Sequence, residues 1–327
     1  MGGASGRLPG AQIGVAIITH AARRHLDRCL PPLLGSPVRP RVLVVNSGSG
    51  DGTLERAQEL GAETLLVPRS SFNHGLTREL ARRHLACPVV VMLTPDAYPQ
   101  GEAFLEQLTA PVRAGVAAVA YGRQIARERA GVIERFGRAF NYPEHSHLRS
   151  LEDWPRYGSY THFCSNACAA WSNRALDAIG GFPATLVSEE TIAAARLLQR
   201  GERIAYVAEA VVRHSHDYGL IDEFRRHFDI GWSRRRFAAD LVSRESDAPR
   251  GRAFARALVL RVAREAPWLL PYLPLLLAAK WAGYHAGWHG TGLPPRICAM
   301  LSGQDFFWAG LRRDRRKHAT GLSPVRS

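Results

Sequence analysis

The chain has 327 residues, 46% apolar and 22% charged, which excludes a disordered or collagen-like polypeptide and provides for a sizeable core. Its formal net charge is +14, unevenly placed: residues 223–327 hold 19 basic and 8 acidic side chains, residues 1–222 hold 24 and 21. Nucleic acid bound along the whole surface would require basic charge throughout, so that class is excluded.

The first 120 residues alternate short apolar runs with amphipathic stretches. Residues 13–19 read as a buried strand, and residues 25–34 as a weak helix broken by Pro31 and Pro32. Strands follow at 42–45, 65–67, 89–93 and about 116–121, separated by helices at 53–60, 76–85 and 102–108. This alternation predicts βαβ units on a mostly parallel, Rossmann-like sheet, with ligands beyond the carboxyl ends of the strands. Residues 122–160 show little periodicity and read as a substrate loop. Order returns with a strand at 163–171, a helix opening at Ser188 as N-cap, and a strand at 204–207. Beyond His214 the chain becomes Arg-rich and amphipathic.

The five cysteines include no CxxC pair and read as buried, reduced thiols of a cytosolic protein. No apolar signal-peptide core precedes Ile13. The longest apolar stretch, residues 268–279, holds Pro271 and Pro274 and falls short of the roughly 20 residues a spanning helix needs.

Four signals carry chemistry. Asn46-Ser47-Gly48-Ser49-Gly50-Asp51-Gly52-Thr53 is a glycine-rich βα turn that matches neither the dinucleotide nor the NTPase fingerprint. Asp96 follows the fourth strand, where a carboxylate can hold a divalent cation or cap a turn. Glu189-Glu190 is a carboxylate pair at a helix start, suited to accepting a proton or to stabilising the dipole. His214 and His216 are spaced to share a strand face, as a metal or phosphate site requires, or as surface histidines.

Their order, with Gly180-Gly181-Phe182, resembles the family 2 glycosyltransferases of the GT-A fold. Phe72-Asn73-His74-Gly75, Tyr121-Gly122-Arg123-Gln124, Asn141-Tyr142-Pro143, Phe163-Cys164-Ser165-Asn166, Tyr206-Val207-Ala208-Glu209-Ala210 and Arg225–Asp229 narrow the resemblance to the bacterial rhamnosyltransferase branch. It covers residues 13–232 well and extends loosely to Trp308.

The resemblance implies an inverting hexosyltransferase moving a sugar, most simply L-rhamnose from dTDP-L-rhamnose, to a polyprenyl-linked or glycan acceptor in cell-surface polysaccharide synthesis. Thr19, Asn46, Ser47, Ser49, Asp51, Asn73, His74, Arg78, Asp96 and Arg123 would bind the nucleotide sugar. Gln124, Asn166, Trp171 and Phe182 would face the acceptor. Asp96, His214 and His216 would hold Mg2+ or Mn2+, and Thr94 stands where the family's first metal-motif Asp usually is. Glu190, with Glu189 beside it, matches the catalytic Asp. The extra methylene moves the carboxylate by roughly an ångström, which can cost about 100-fold if uncompensated. Either the pocket adapts, or Glu189 shares the role, or activity is impaired.

The implied organisation is a tail at 1–12, a GT-A domain at 13–222 (nucleotide half 13–121, acceptor half 122–222), and a helical Arg-rich region at 223–327. In that region Arg234–236, Arg250, Arg252, Arg256, Arg261 and Arg264 precede the apolar stretch, Trp281, Tyr284 and Trp288 follow it, and residues 312–317 are again basic. This suits peripheral docking on the anionic cytoplasmic face of a bacterial inner membrane. The alternatives are helices packed on the catalytic domain or forming a homo-oligomer. A polyanion-binding or degenerate non-catalytic relative, or a transferase using a UDP- or GDP-sugar, also stays open.

Overall fold

The computed structural model describes residues 11–216, 218–241 and 248–311. Strands β1 (Ile13–Thr19), β2 (Arg41–Asn46), β3 (Glu63–Leu66) and β4 (Val89–Leu93) form a parallel half-sheet in the order β3-β2-β1-β4. β1 and β4 are buried along their whole length, so they read as unbroken apolar runs. Alternate residues feed two cores. Val15 and Ile17 join Leu26, Cys29 and Leu33 of helices α1 (Arg23–Cys29) and α2 (Pro31–Leu34). Ala16 and Ile18 join the core on the opposite face. Helix α3 (Thr53–Glu59) precedes β3, and α4 (His74–Leu85) precedes β4.

The second half of the sheet is mixed. After β5 (Tyr98–Pro99) and α5 (Phe104–Arg113) comes β6 (Val119–Ile125). Helix α6 (Val132–Asn141), β7 (His147–Arg149) and the short α7 (Trp154–Tyr157) lie between β6 and β8 (Cys168–Ser172). β8 pairs antiparallel with both β4 and β6. Helices α8 (Asn173–Ala178) and α9 (Glu189–Gln199) lead to β9 (Ile204–Arg213), which runs parallel to β6. β5 and β7 pair antiparallel with β9.

Several elements depart from the sequence reading. The expected strand at 163–171 begins at Cys168, because the Cys168 N–H donates to Ser165 O at 3.0 Å and turns the chain there. The strand at 204–207 continues to Arg213, past a bulge between Gly122 and Arg123 of β6. Ser188 does not cap α9 through its side chain. Its φ is +66°, and its carbonyl accepts the Thr191 and Ile192 N–H groups. The expected substrate loop contains α6, whose Val132, Ile133 and Phe136 pack against Phe254, Leu258 and Val262 of helix α11 (Ala248–Glu265).

The expected boundary at residue 222 falls inside α10 (Leu220–Arg236). Helix α12 (Leu273–His289) packs so closely on α10 that a methyl group at Gly283 or Gly287 would strike the Phe224 or Phe228 carbonyl. Helix α13 (Pro295–Leu301) follows. The basic run at 312–317 and most of the expected tail at 1–12 lie outside the described residues. Among the described residues no helix is long and apolar enough to cross a membrane, and all five cysteines are buried and free.

Candidate active site

The carboxyl ends of β1, β2 and β4 open on one edge of the sheet. At the end of β2, Asn46 is fully buried and braces the glycine-rich turn. Its amide donates to Thr19 Oγ1 at 3.2 Å and Ser49 Oγ at 2.8 Å, and its carbonyl accepts the Ser49 N–H at 2.8 Å. Thr19 Oγ1 donates to Val45 O. Thr19 and Asn46 therefore lie beneath the turn, with their polar groups satisfied internally. Ser47 Oγ meets His20 Nδ1 at 2.9 Å. Asp51 is exposed and ties the turn to α1 and α3, accepting from the Ser49 and Thr53 hydroxyls and the Arg23 N–H. Partial burial pushes its carboxyl up, but these donors win and hold it at about 2.

Asp96, in the turn after β4, converges with His214 and His216, which follow β9. One ligand atom from each lies within 4.8 Å of the others. His214 Nδ1 faces Gln124 Oε1 at 2.8 Å, and because that oxygen also accepts from Arg138, Nδ1 is the protonated nitrogen. The lone pair on Nε2 then faces Asp96 Oδ2 at 3.3 Å, while His216 Nδ1 lies 3.7 Å from the same oxygen. Two acceptors this close call for a shared cation or proton. Burial depresses both imidazoles, with His216 lowered further by His214 to about 3, so both are neutral and ready to ligate at pH 7. Burial pushes the Asp96 carboxyl up, yet in the acid range, where His214 and His216 become protonated, their charges outweigh it and hold the group well below the usual carboxylate range. One carboxylate and two imidazoles fit a divalent transition ion better than Mg2+, which prefers oxygen ligands.

The carboxylate pair opens α9, and its members are in different settings. Glu189 is 3% exposed; its Oε1 receives Arg78 Nη1 at 2.7 Å and Asn166 Nδ2 at 3.0 Å. Burial raises its carboxyl, but Arg78, His74 and Asn166 together hold it down and ionised. Glu190 is half-buried, and its carboxyl is raised, first by desolvation and then by the Glu189 charge. Glu189 is thus committed to Arg78, while the Glu190 carboxyl, within hydrogen-bonding range of Glu189, is the member of the pair shifted toward its protonated form. A single hydrogen-bonded frame links the two centres. His214 donates to Gln124, Gln124 donates to Ser165, and the adjacent Asn166 donates to Glu189.

Several expected contacts sit behind the site rather than in it. Asn73 caps α4 by accepting the Leu76 N–H, and its amide holds Thr185 O. His74 Nε2 meets Gln304 Oε1 at 3.2 Å, and Arg78 is buried on Glu189. Trp171 is 0% exposed, donates to Asn166 Oδ1 at 2.9 Å, and stands edge-on to buried Phe182. Both rings support Asn166 from the core and are shielded from an acceptor. Arg123 pairs with Glu144 at 2.9 Å. Gly75 is required, since a methyl group there would strike the Pro183 carbonyl. Three arginines were not singled out from the sequence as site residues. Arg138 and Arg226 add positive charge beside His214 and His216, and Arg69 Nη1 lies 3.4 Å from Ser47 Oγ. Arg226 falls within the Arg225–Asp229 motif, the one signal that pointed toward it.

A family model described as glycosyltransferase like family 2 matches residues 9–229. The O-antigen chain rhamnosyltransferase RfbN of Salmonella typhimurium is 32% identical over 282 residues, covering 83% of this chain and 88% of that protein. The O-antigen chain rhamnosyltransferase WbaN of Salmonella anatum is 32% identical over 281 residues, covering 83% and 87%. Among solved structures, the mannosyltransferase PcManGT of Pyrobaculum calidifontis, in complex with GDP-Man and Mn2+, superposes with a TM-score of 0.53 at 16% identity, covering 96% of this chain and 88% of that one. Residues 1–349 of S. aureus TarS give 0.53 at 14% identity, covering 96% and 93%.

Proposed function

Because the chain belongs to the family 2-like glycosyltransferases, in their rhamnosyltransferase branch, we propose that it transfers L-rhamnose from dTDP-L-rhamnose, with inversion, to a polyprenyl-linked or glycan acceptor of O-antigen-type polysaccharide. The observation that supports this reading is the frame joining Asp96 and His214 to the Glu189-Glu190 pair through Gln124 and Asn166. In this reading the frame would carry the cation-binding centre and the proton acceptor on one scaffold.

In this reading ionised Glu190 takes the proton of the acceptor hydroxyl. The hydroxyl oxygen bonds to the anomeric carbon from the face opposite the nucleotide. The bond from that carbon to the diphosphate oxygen breaks, and its electron pair leaves with dTDP. The diphosphate leaves without a proton, so one carboxylate suffices. Asp96, His214 and His216 would hold a divalent ion, Mn2+ or Mg2+, which neutralises charge on the departing diphosphate when bound. Arg138 and Arg226 add fixed positive charge on that side.

The exposed faces of α11 and α12 would set the enzyme on the anionic cytoplasmic face of a membrane. Arg252, Arg256, Arg261 and Arg264 are exposed, as are Trp268 at 74% and Trp281 at 67%. Arg250 packs inward over Tyr160 and is not among these exposed side chains.

The test is a donor panel. The purified protein is incubated with a lipid-linked acceptor fraction and dTDP-L-rhamnose, UDP-glucose or GDP-mannose, with Mn2+, with Mg2+, or with EDTA. Rhamnose transfer that EDTA removes is the expected result. Transfer from UDP- or GDP-sugar alone would overturn the donor assignment, and absence of transfer from every donor would overturn the enzymatic reading.

A further inference from the structure

The segment after α13 runs back to the nucleotide half of the catalytic domain and is held there at several points. Asp229 of α10 accepts the Gly303 N–H at 3.0 Å. Gln304 Oε1 meets His74 Nε2 at 3.2 Å. Phe307 and Trp308 stand edge-on to Trp232 at 5.7 and 5.2 Å, and Trp308 is 2% exposed. Between these anchors lies Phe306, edge-on to Phe72 at 5.0 Å and to His74 at 5.8 Å.

Phe306 presents its ring face to Arg69. The guanidinium carbon sits 4.3 Å from the ring centroid, Asp305 Oδ1 lies 3.9 Å from Nη2, and Nη1 reaches toward Ser47 Oγ at 3.4 Å. The Arg69 charge is also felt at His20, which hydrogen-bonds Ser47. The guanidinium therefore lies along the glycine-rich turn, with its side chain 39% exposed. Residues 46–53 contain Asp51 and no basic residue of their own. A nucleoside diphosphate brought to this turn needs a positive group there, and a planar guanidinium is suited to phosphate oxygens or to a base face. An arginine on a partly exposed loop has many rotamers. A ring beneath it and a carboxylate at one end narrow that choice.

We propose that Phe306, with Asp305, is a positioning residue for donor binding: the C-terminal segment holds Arg69 in place over the nucleotide turn. The proposal rests on residues 46–53 forming the nucleotide pocket. It makes the C-terminal region part of the donor site and not solely a surface appendage, since the same segment is anchored on α10 through Asp229 and Trp232.

The test is a double-mutant cycle in the full chain, read by calorimetric titration with dTDP. Phe306→Ala weakens dTDP binding about fivefold, the worth of a half-exposed cation–π platform. Phe306→Leu, which keeps apolar packing on Phe72 but lacks the ring face, gives the same loss, and Phe306→Tyr restores binding. Arg69→Ala weakens binding at least as much, and adding Phe306→Ala to it produces no further loss. In turnover with dTDP-L-rhamnose, KM rises and kcat stays within about twofold. Wild-type affinity in Phe306→Ala and Phe306→Leu, or losses that simply add in the double variant, would overturn the proposal alone. If dTDP, UDP and GDP all fail to bind the wild-type protein, the nucleotide pocket falls, and this proposal with it.

Discussion

Replacing Glu189 with Gln probes how the two neighbouring carboxylates divide their roles. The Arg78 pair and Asn166 keep Glu189 ionised, and its charge keeps the Glu190 carboxyl raised. Glu190 is therefore protonated at mildly acid pH and cannot act as a base until the pH climbs through its raised value. For scale, a unit charge at about 4 Å and an effective dielectric near 20 is worth about 4 kcal/mol. Before screening, that corresponds to about three pKa units for two side chains within hydrogen-bonding range. In Glu189→Gln this push disappears, and the Arg78 charge, no longer neutralised, pulls Glu190 further down. The acidic limb of the kcat/KM profile should therefore move to lower pH by about one to two units, allowing for solvent screening. The substitution also leaves a nearly buried guanidinium without its counter-ion, so stability should fall by about 3 kcal/mol. The assay is initial-rate rhamnose transfer from pH 5 to 9, alongside urea unfolding of both proteins. An acidic limb that stays in place or moves upward would refute the division of roles.

The other expectations concern the base, the cation centre, the packing behind the site and the surface. Glu190→Gln should lower kcat by about 100-fold or more while dTDP affinity in calorimetry is unchanged; full activity would reject Glu190 as the base. Asp96→Asn removes the sole carboxylate of the triad, so Mn2+ titration should show affinity reduced by about 100-fold or more, and wild-type affinity would place the ion elsewhere. Gly75→Ala forces a methyl group against the Pro183 carbonyl beside Glu189 Cβ, and should destabilise the fold by about 2 kcal/mol in urea melts. Trp268→Ala and Trp281→Ala should each reduce partitioning onto anionic vesicles about tenfold in co-sedimentation; unchanged partitioning would remove these rings from the docking surface.

The sequence by itself carried the nucleotide half of the fold, because β1 and β4 are buried along their length and the helices between the parallel strands follow a local period. The resemblance grouped Asp96, His214 and His216, and the fold brings one ligand atom of each within 4.8 Å of the others, because the carboxyl ends of β4 and β9 share one edge of the sheet. What the sequence left open depended on partners distant along the chain. Helix α6 is the exception: Val132, Ile133, Phe136 and Phe140 recur at helical spacing and were legible locally, whereas what covers that side, Phe254 and Leu258 of α11, lies more than a hundred residues on. Trp171 and Phe182 resemble ligand-facing aromatics in a one-dimensional reading, and their 0% and 3% exposure follows from how β8 and α9 pack. The resemblance pointed to Glu190 with Glu189 beside it, but two adjacent, chemically identical residues carry no local sign of how they differ. The difference comes from Arg78, one helix away, which pairs with the first and leaves the second with a carboxyl raised by burial and by its neighbour's charge. Likewise the +14 charge located a basic C-terminal third, but tertiary packing turned Arg250 inward, kept Arg252, Arg256, Arg261 and Arg264 exposed, and brought Phe306 back to Arg69. Residue type and local period fix which groups are available, whereas burial and the position of a distant charge decide which of them can do chemistry.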